Sequence, residues 1–170
     1  MKKLLTLIAI CMSASAFSQD AITRFFDKYA SDDSFTNVTI TSRMFSLFTD
    51  LEIEDEEDQQ VLDAISKLKG LKILAKENVN GKGMYKEALN MLPKGEFDEL
   101  MSIRDEDKDL KFMIKEKDKK INELVMVMGG DKEFFILTLF GEIDLKQMAK
   151  ISKAMDIDGL DHLDKLDKGN

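Results

Sequence analysis

Between Phe97 and Gly141 four strand-like segments follow one another with almost nothing between them: EFDELMSIR, DLKFMIKE, KINELVMVM and EFFILTLF, joined by DEDK, KD and GGDK. Connections this short cannot hold a crossover helix, so consecutive strands of this kind pair antiparallel. The second segment alternates Leu110, Phe112 and Ile114 with Lys111 and Lys115, the period of a strand with two different faces. The last two are different. From Val125 to Gly141 apolar residues run consecutively on both sides of Gly129-Gly130. Such strands belong at the centre of a sheet, covered on both faces.

The paired glycines admit three readings. A phosphate-binding loop needs Lys followed by Ser or Thr and then a helix; here Lys132 precedes Glu133 and an aromatic, β-branched run. A membrane hairpin needs about 20 apolar residues per span, and a transmembrane barrel needs many more alternating strands than the half-dozen present. The remaining reading is a β-hairpin, with the glycines supplying positive φ and Asp131 assisting the turn.

The first half supplies helices. DAITRFFDKYA places Ile22, Phe25, Phe26 and Tyr29 at helical spacing behind Asp20. SFTNVTIT reads as a short strand, and SRMFSLFTDL as a helix with a broad apolar face. The acidic run Glu52 to Asp58 leads into a helix with Val61, Leu62, Ile65 and Leu68 on one stripe, stopping at Gly70. LKILAKE is a strand, and GMYKEALNML is a helix ended by Pro93. After the meander, Asp144 and Gln147 occupy capping-box positions of a closing helix. The fold class is therefore α+β: an antiparallel sheet, a meander in the C-terminal half, packed against amphipathic helices. If the helices cover one face only, Met126, Met128, Phe134 and Phe140 are the candidate apolar interaction face. If they cover both, these four are core.

The N-terminus predicts an address. Lys2-Lys3, the apolar run Leu4 to Met12 and the small residues Ala14-Ser15-Ala16 form the three parts of a secretory signal peptide over residues 1–18. Cleavage is expected before Gln19, with Phe17 the alternative, leaving a single domain over 19–170 and no transmembrane segment in the mature chain. Cys11 follows Ile10 rather than a small residue, so lipid anchoring is not expected and the mature chain has no thiol. Losing Lys2 and Lys3 leaves 33 acids against 23 bases, a balance of −10. That charge repels nucleic acid and anionic lipid.

Chemistry-bearing patterns are sparse. His162 is the one histidine, which removes His-based triads and His-rich zinc sites. DIDGLDHLD offers Asp156, Asp158, Asp161 and Asp164, but Gly159 falls fourth where an EF-hand needs glycine sixth. Two rival functions follow from the carboxylates: a calcium or small-ligand carrier, and a carboxylate-only hydrolase. The latter lacks the aromatic lining of a sugar cleft, with no tryptophan and two tyrosines. No catalytic residue, metal ligand or cofactor is assigned.

FFDKYASDDSFTNVTITSRMFSLF and INELVMVMGGDKEFFILTLFGEIDLKQMAKISKAM resemble the two ends of a family of small exported proteins of Gram-negative bacteria, domain of unknown function four-two-five-two. The Phe-Thr-x-Val-x-Ile-Thr segment before Met44-Phe45 and the hairpin running into Gly141-Glu142-Ile143-Asp144-Leu145 carry the resemblance. It implies a cell-envelope protein with no assigned activity and contributes no catalytic residues. Many relatives resemble lipoproteins, from which Cys11 and its context depart. The expected function is an exported, non-enzymatic binding or interaction domain, periplasmic or extracellular, whose partner is a protein or a small apolar ligand.

Overall fold

The computed structural model describes residues 21–47 and 55–147. The expected signal peptide, the Asp-rich tail with His162 and residues 52–54 of the acidic run lie outside these residues. In chain order the elements are α1 (Ala21–Tyr29), β1 (Thr36–Thr41), α2 (Ser42–Ser46), α3 (Glu56–Ser66), β2 (Leu68–Glu77), α4 (Gly81–Met91), β3 (Asp98–Arg104), β4 (Lys108–Lys117), β5 (Lys120–Gly130) and β6 (Glu133–Ile143). The strands form one antiparallel sheet in the order β1-β2-β6-β5-β4-β3. The meander β3 to β6 is as the sequence predicts. The two apolar arms, β5 and β6, occupy its centre.

Helices lie on both faces, which settles the alternative that the sequence left open. On one face α1 and α4 bury Ile22, Phe25, Met84, Tyr85 and Ala88 against Leu74, Val125, Val127, Phe134 and Ile136. On the other, Phe45 of α2 and Ile65 of α3 pack with Leu68, Leu110, Phe112, Leu124, Met126, Leu137 and Leu139. Strand side chains alternate between the two cores because the pleat has period two. Val125, Val127 and Ile136 have no measurable exposure, while their neighbours Met126 and Leu137 are buried on the opposite side. Each large apolar side chain so buried contributes about 1.5–3 kcal/mol.

Two local expectations are corrected. First, Leu68 does not lie on the α3 stripe, and Gly70 does not stop that helix. The helix ends at Ser66, and Leu68 opens β2. Pairing with β6 on one side and β1 on the other outweighs local helix preference here. A bulge lies between Leu68, opposite Gly141, and Gly70, opposite Phe140. Gly141 has φ +135°, where a side chain is strained. A Cβ on it would come 2.5 Å from the Lys67 carbonyl oxygen.

Second, Gly129 and Gly130 do not supply the left-handed residues of the turn. Neither has a positive φ; both belong to β5, and the turn is Asp131-Lys132. Glycine is needed for close approach instead. A Cβ on Gly129 would lie 2.4 Å from the Gly81 carbonyl oxygen and 2.5 Å from Tyr85 Cβ. One on Gly81 would lie 1.7 Å from the Glu133 carbonyl oxygen. The first turn of α4 therefore rests directly on the backbone of the β5–β6 hairpin. The turn that does use left-handed residues joins β4 to β5, at Asp118 and Lys119, with φ of 55° and 62°.

Candidate interaction edge

The structure does not bring the four proposed interface residues together. Register pairs Met126 with Leu137 and Met128 with Phe135, on the α2–α3 face. Phe134 stands opposite Gly129, on the α1–α4 face with Val127 and Ile136. Phe140 shares the parity of Phe134 along β6 and lies opposite Glu123. Met126 and Phe134 are 2% and 1% exposed, so these side chains are core. Consecutive apolar residues on a central strand serve two opposite cores and cannot form one surface.

The exposed apolar side chains are elsewhere. Among the described residues the large exposed hydrophobics are Val38, Met44 and Leu47, all within β1, α2 and the residue that caps α2. β1 is an outermost strand, paired with β2 alone. Its outward backbone groups have no strand partner among the described residues. Its sequence, TNVTIT, is β-branched at five of six positions and carries no charge, proline or glycine. Its register with β2 runs unbroken from Thr36, opposite Ala75, to Thr41, opposite Gly70.

The opposite edge is built differently. β3 carries Asp98, Glu99 and Arg104 and has a bulge between Glu99 and Met101. Arg104 Nε meets Asp109 Oδ1 at 2.9 Å, and Lys111 Nζ meets Glu99 Oε2 at 2.7 Å. Charges and bulges are the devices that keep a sheet edge from pairing with another chain. β3 has both and β1 has neither.

Side chains just before and just after β1 anchor it to the core. Before it, Phe35 is buried, with its ring 4.8 Å from that of Tyr29 and Lys76 Nζ 4.4 Å from its centroid. Lys76 Nζ also donates to Ser34 Oγ at 2.6 Å and approaches Asp32 at 3.7 Å. The Ser34 hydroxyl and amide, with the nearby Lys76 ammonium adding to them, hold the Asp32 carboxyl below its ordinary range. After β1, α2 inserts Phe45 into the core beside Ile40. Phe45 fixes α2 in the sheet and leaves Met44 and Leu47 outside.

Two open clefts lie at opposite ends of the sheet. One, of about 650 Å³, is lined by Gln60, Lys67, Glu116, Lys119, Lys120 and Glu142. Within it Lys120 Nζ donates to Glu142 Oε2 at 2.7 Å, and that bond holds the Glu142 carboxyl below its usual range. The other, of about 690 Å³, gathers Glu77, Asp105, Asp107, Lys108, Asp131 and Glu133 at the hairpin turns. Lys82 Nζ reaches Asp131 at 2.7 Å there. No set of three or more potential ligands takes up metal-binding geometry among the described residues. Inside the α1–α4 face, buried Thr138 Oγ1 donates to Glu123 Oε1 at 3.1 Å. The Asp32, Glu87 and Glu142 carboxyls are each held below their ordinary values by hydrogen-bond donors beside them.

β1 is the strand that SFTNVTIT predicts, and it lies at the sheet edge. Its composition held a signal: two apolar residues at alternate positions, Val38 and Ile40, cannot cover both faces of a central strand.

The fold and this edge define a two-faced antiparallel α+β domain in which, among the described residues, one sheet edge carries charges and a bulge and the other carries neither. The chain belongs to the family called domain of unknown function DUF4252, whose sequence profile matches residues 29–151. That span takes in β1 and continues through β6, so both edges of the sheet lie within the family domain. No curated protein and no solved structure matches the chain significantly. No helix among the described residues is long and apolar enough to cross a membrane.

Proposed function

We propose that this chain is an exported, non-enzymatic interaction domain of the bacterial cell envelope that binds a protein partner by adding an extended strand to β1. The observation that carries the reading is the β1 edge: uncharged, unbulged, anchored at both ends and flanked by the exposed Val38, Met44 and Leu47. Backbone hydrogen bonds provide affinity in such pairing, and side chains on alternate positions provide selectivity. The charge-lined clefts favour a protein partner over a small apolar ligand. Export rests on the three-part pattern of residues 1–18.

The test is a photo-crosslinking residue at Thr39 in living cells, with the same residue at Ser102 of β3 as control. A discrete adduct from position 39, absent from position 102 and abolished by Val38→Lys, is the expected result. Absence of any adduct at Thr39, or equal adducts from both edges, would sink the reading. Fractionation with N-terminal sequencing of the recovered chain checks export, with Gln19 expected as the first residue.

A further inference from the structure

We propose that the strand added to β1 is β1 of a second copy of this chain, giving a two-fold dimer with one continuous sheet. This inference rests on β1 being a docking edge and names its occupant. The argument begins with charge. The chain carries a net −8, so two copies repel one another over much of their surfaces. β1 is the one strand of the six described that carries no charged residue. It is where two such chains approach with least electrostatic cost.

Symmetry supplies the register. Antiparallel addition about a two-fold axis normal to the sheet keeps like faces on the same side, so residues of the same parity stand opposite each other. Centred on Val38, the pairing sets Val38 against Val38, Thr36 against Ile40, and Asn37 against Thr39. One face then carries Thr36, Val38 and Ile40 of both copies as a single apolar stripe, beside the exposed Met44 and Leu47 of each. The other face carries Asn37 and Thr39, an amide beside a hydroxyl, able to hydrogen-bond across the seam.

The ends of the strand complete the match. Asp32 and Asp33 precede β1, and Arg43 follows it. Arg43 is the single basic residue between Lys28 and Lys67, it is exposed, and it makes no ion pair among the described residues. In the Val38-centred register the end of each copy's strand that leads into Arg43 lies beside the end of the other's that follows Asp33. An acidic chain with one cation placed after an uncharged strand, and two acids placed before it, is complementary to itself when the strand is reversed.

The test measures mass by multi-angle light scattering on the chain as recovered from expressing cells, across a concentration series. A species of twice the chain mass is expected. Val38→Lys, which sets two lysines face to face, should leave monomer with an unchanged circular dichroism spectrum. Arg43→Asp should raise the dimer dissociation constant at least tenfold, and Asp33→Arg combined with Arg43→Asp should restore the dimer. A wild-type chain that stays monomeric, or a dimer indifferent to both single variants, overturns the proposal. The Thr39 crosslink separates the two claims. An adduct with another protein alone removes the second copy and keeps strand addition, whereas no adduct removes both.

Discussion

Single atoms decide several features of this protein. Where α4 meets the β5–β6 hairpin, Gly81 and Gly129 leave no room for a methyl group. Gly81→Ala should cost several kcal/mol, above the usual 1–3 kcal/mol for overpacking, because backbone rather than a movable side chain stands in the way. Gly95→Ala provides the contrast: φ is +81° but nothing lies within 4 Å. Its cost should be only the left-handed penalty of about 1–2 kcal/mol. Urea unfolding of both variants checks the difference. Glu87 gives a pH prediction. It accepts from Lys28 Nζ at 2.6 Å and from Tyr29 Oη at 3.0 Å, bridging α1 and α4. The Lys28 hydrogen bond, with that of Tyr29, holds the folded carboxyl below its ordinary value. A lowered folded pKa means that the unfolded chain binds the proton more readily. The contribution is therefore present above the unfolded value of about 4.3 and is lost as pH falls through the folded one. Wild type should exceed Glu87→Gln in stability at neutral pH, and the gap should close in acid. A gap that is flat down to about pH 3 would exclude this role.

The elements show what a sequence discloses and what it withholds. Period-two alternation at Leu110, Phe112 and Ile114 fixes β4, and consecutive apolar residues mark β5 and β6 as central, because these patterns reflect local geometry and burial. Where Leu68 falls was not legible. Its partner, Gly141, lies some seventy residues along the chain, and that pairing overrides a helical stripe that is locally sound. The reason for Gly129 was equally hidden, since the helix that touches it belongs to residues Gly81–Met91. The four candidate interface residues divide between the two faces for a related reason: apolar character marks burial, and the two faces of a strand cannot be assigned until its neighbours are known. α4 provides the prediction at this scale. Asn80 caps it, its Oδ1 accepting from the Gly83 amide at 2.9 Å. Asn80→Ala should cost about 1 kcal/mol, while Asn80→Asp should retain the cap, as read by thermal unfolding.

At the scale of the whole molecule, the six strands are shared property of two cores. Leu124, Met126 and Leu137 belong to one core, while Val125, Val127 and Ile136 belong to the other, and they alternate along the same two strands. Neither core can dissolve without releasing the backbone pairing that orders its counterpart. Phe134→Ala on the α1–α4 face should cost about 3–5 kcal/mol and Met126→Ala on the other about 2–5 kcal/mol. Their sum, about 5–10 kcal/mol, is comparable to the 5–15 kcal/mol that holds a typical domain folded, so the double variant should lose most of its stability at room temperature. Each single variant should still unfold in one step. Fluorescent reporters placed one on each face, at exposed Lys86 of α4 and exposed Met44 of α2, should give superimposable denaturation curves. Two separated midpoints would mean that the faces fold independently, and the sheet could not then act as a single rigid support for β1. A single midpoint is also what strand addition at that edge requires: a partner's strand adds without loss only to a template that is already ordered, and the order of β1 comes from both cores together, through Phe35 on one face and Phe45 on the other.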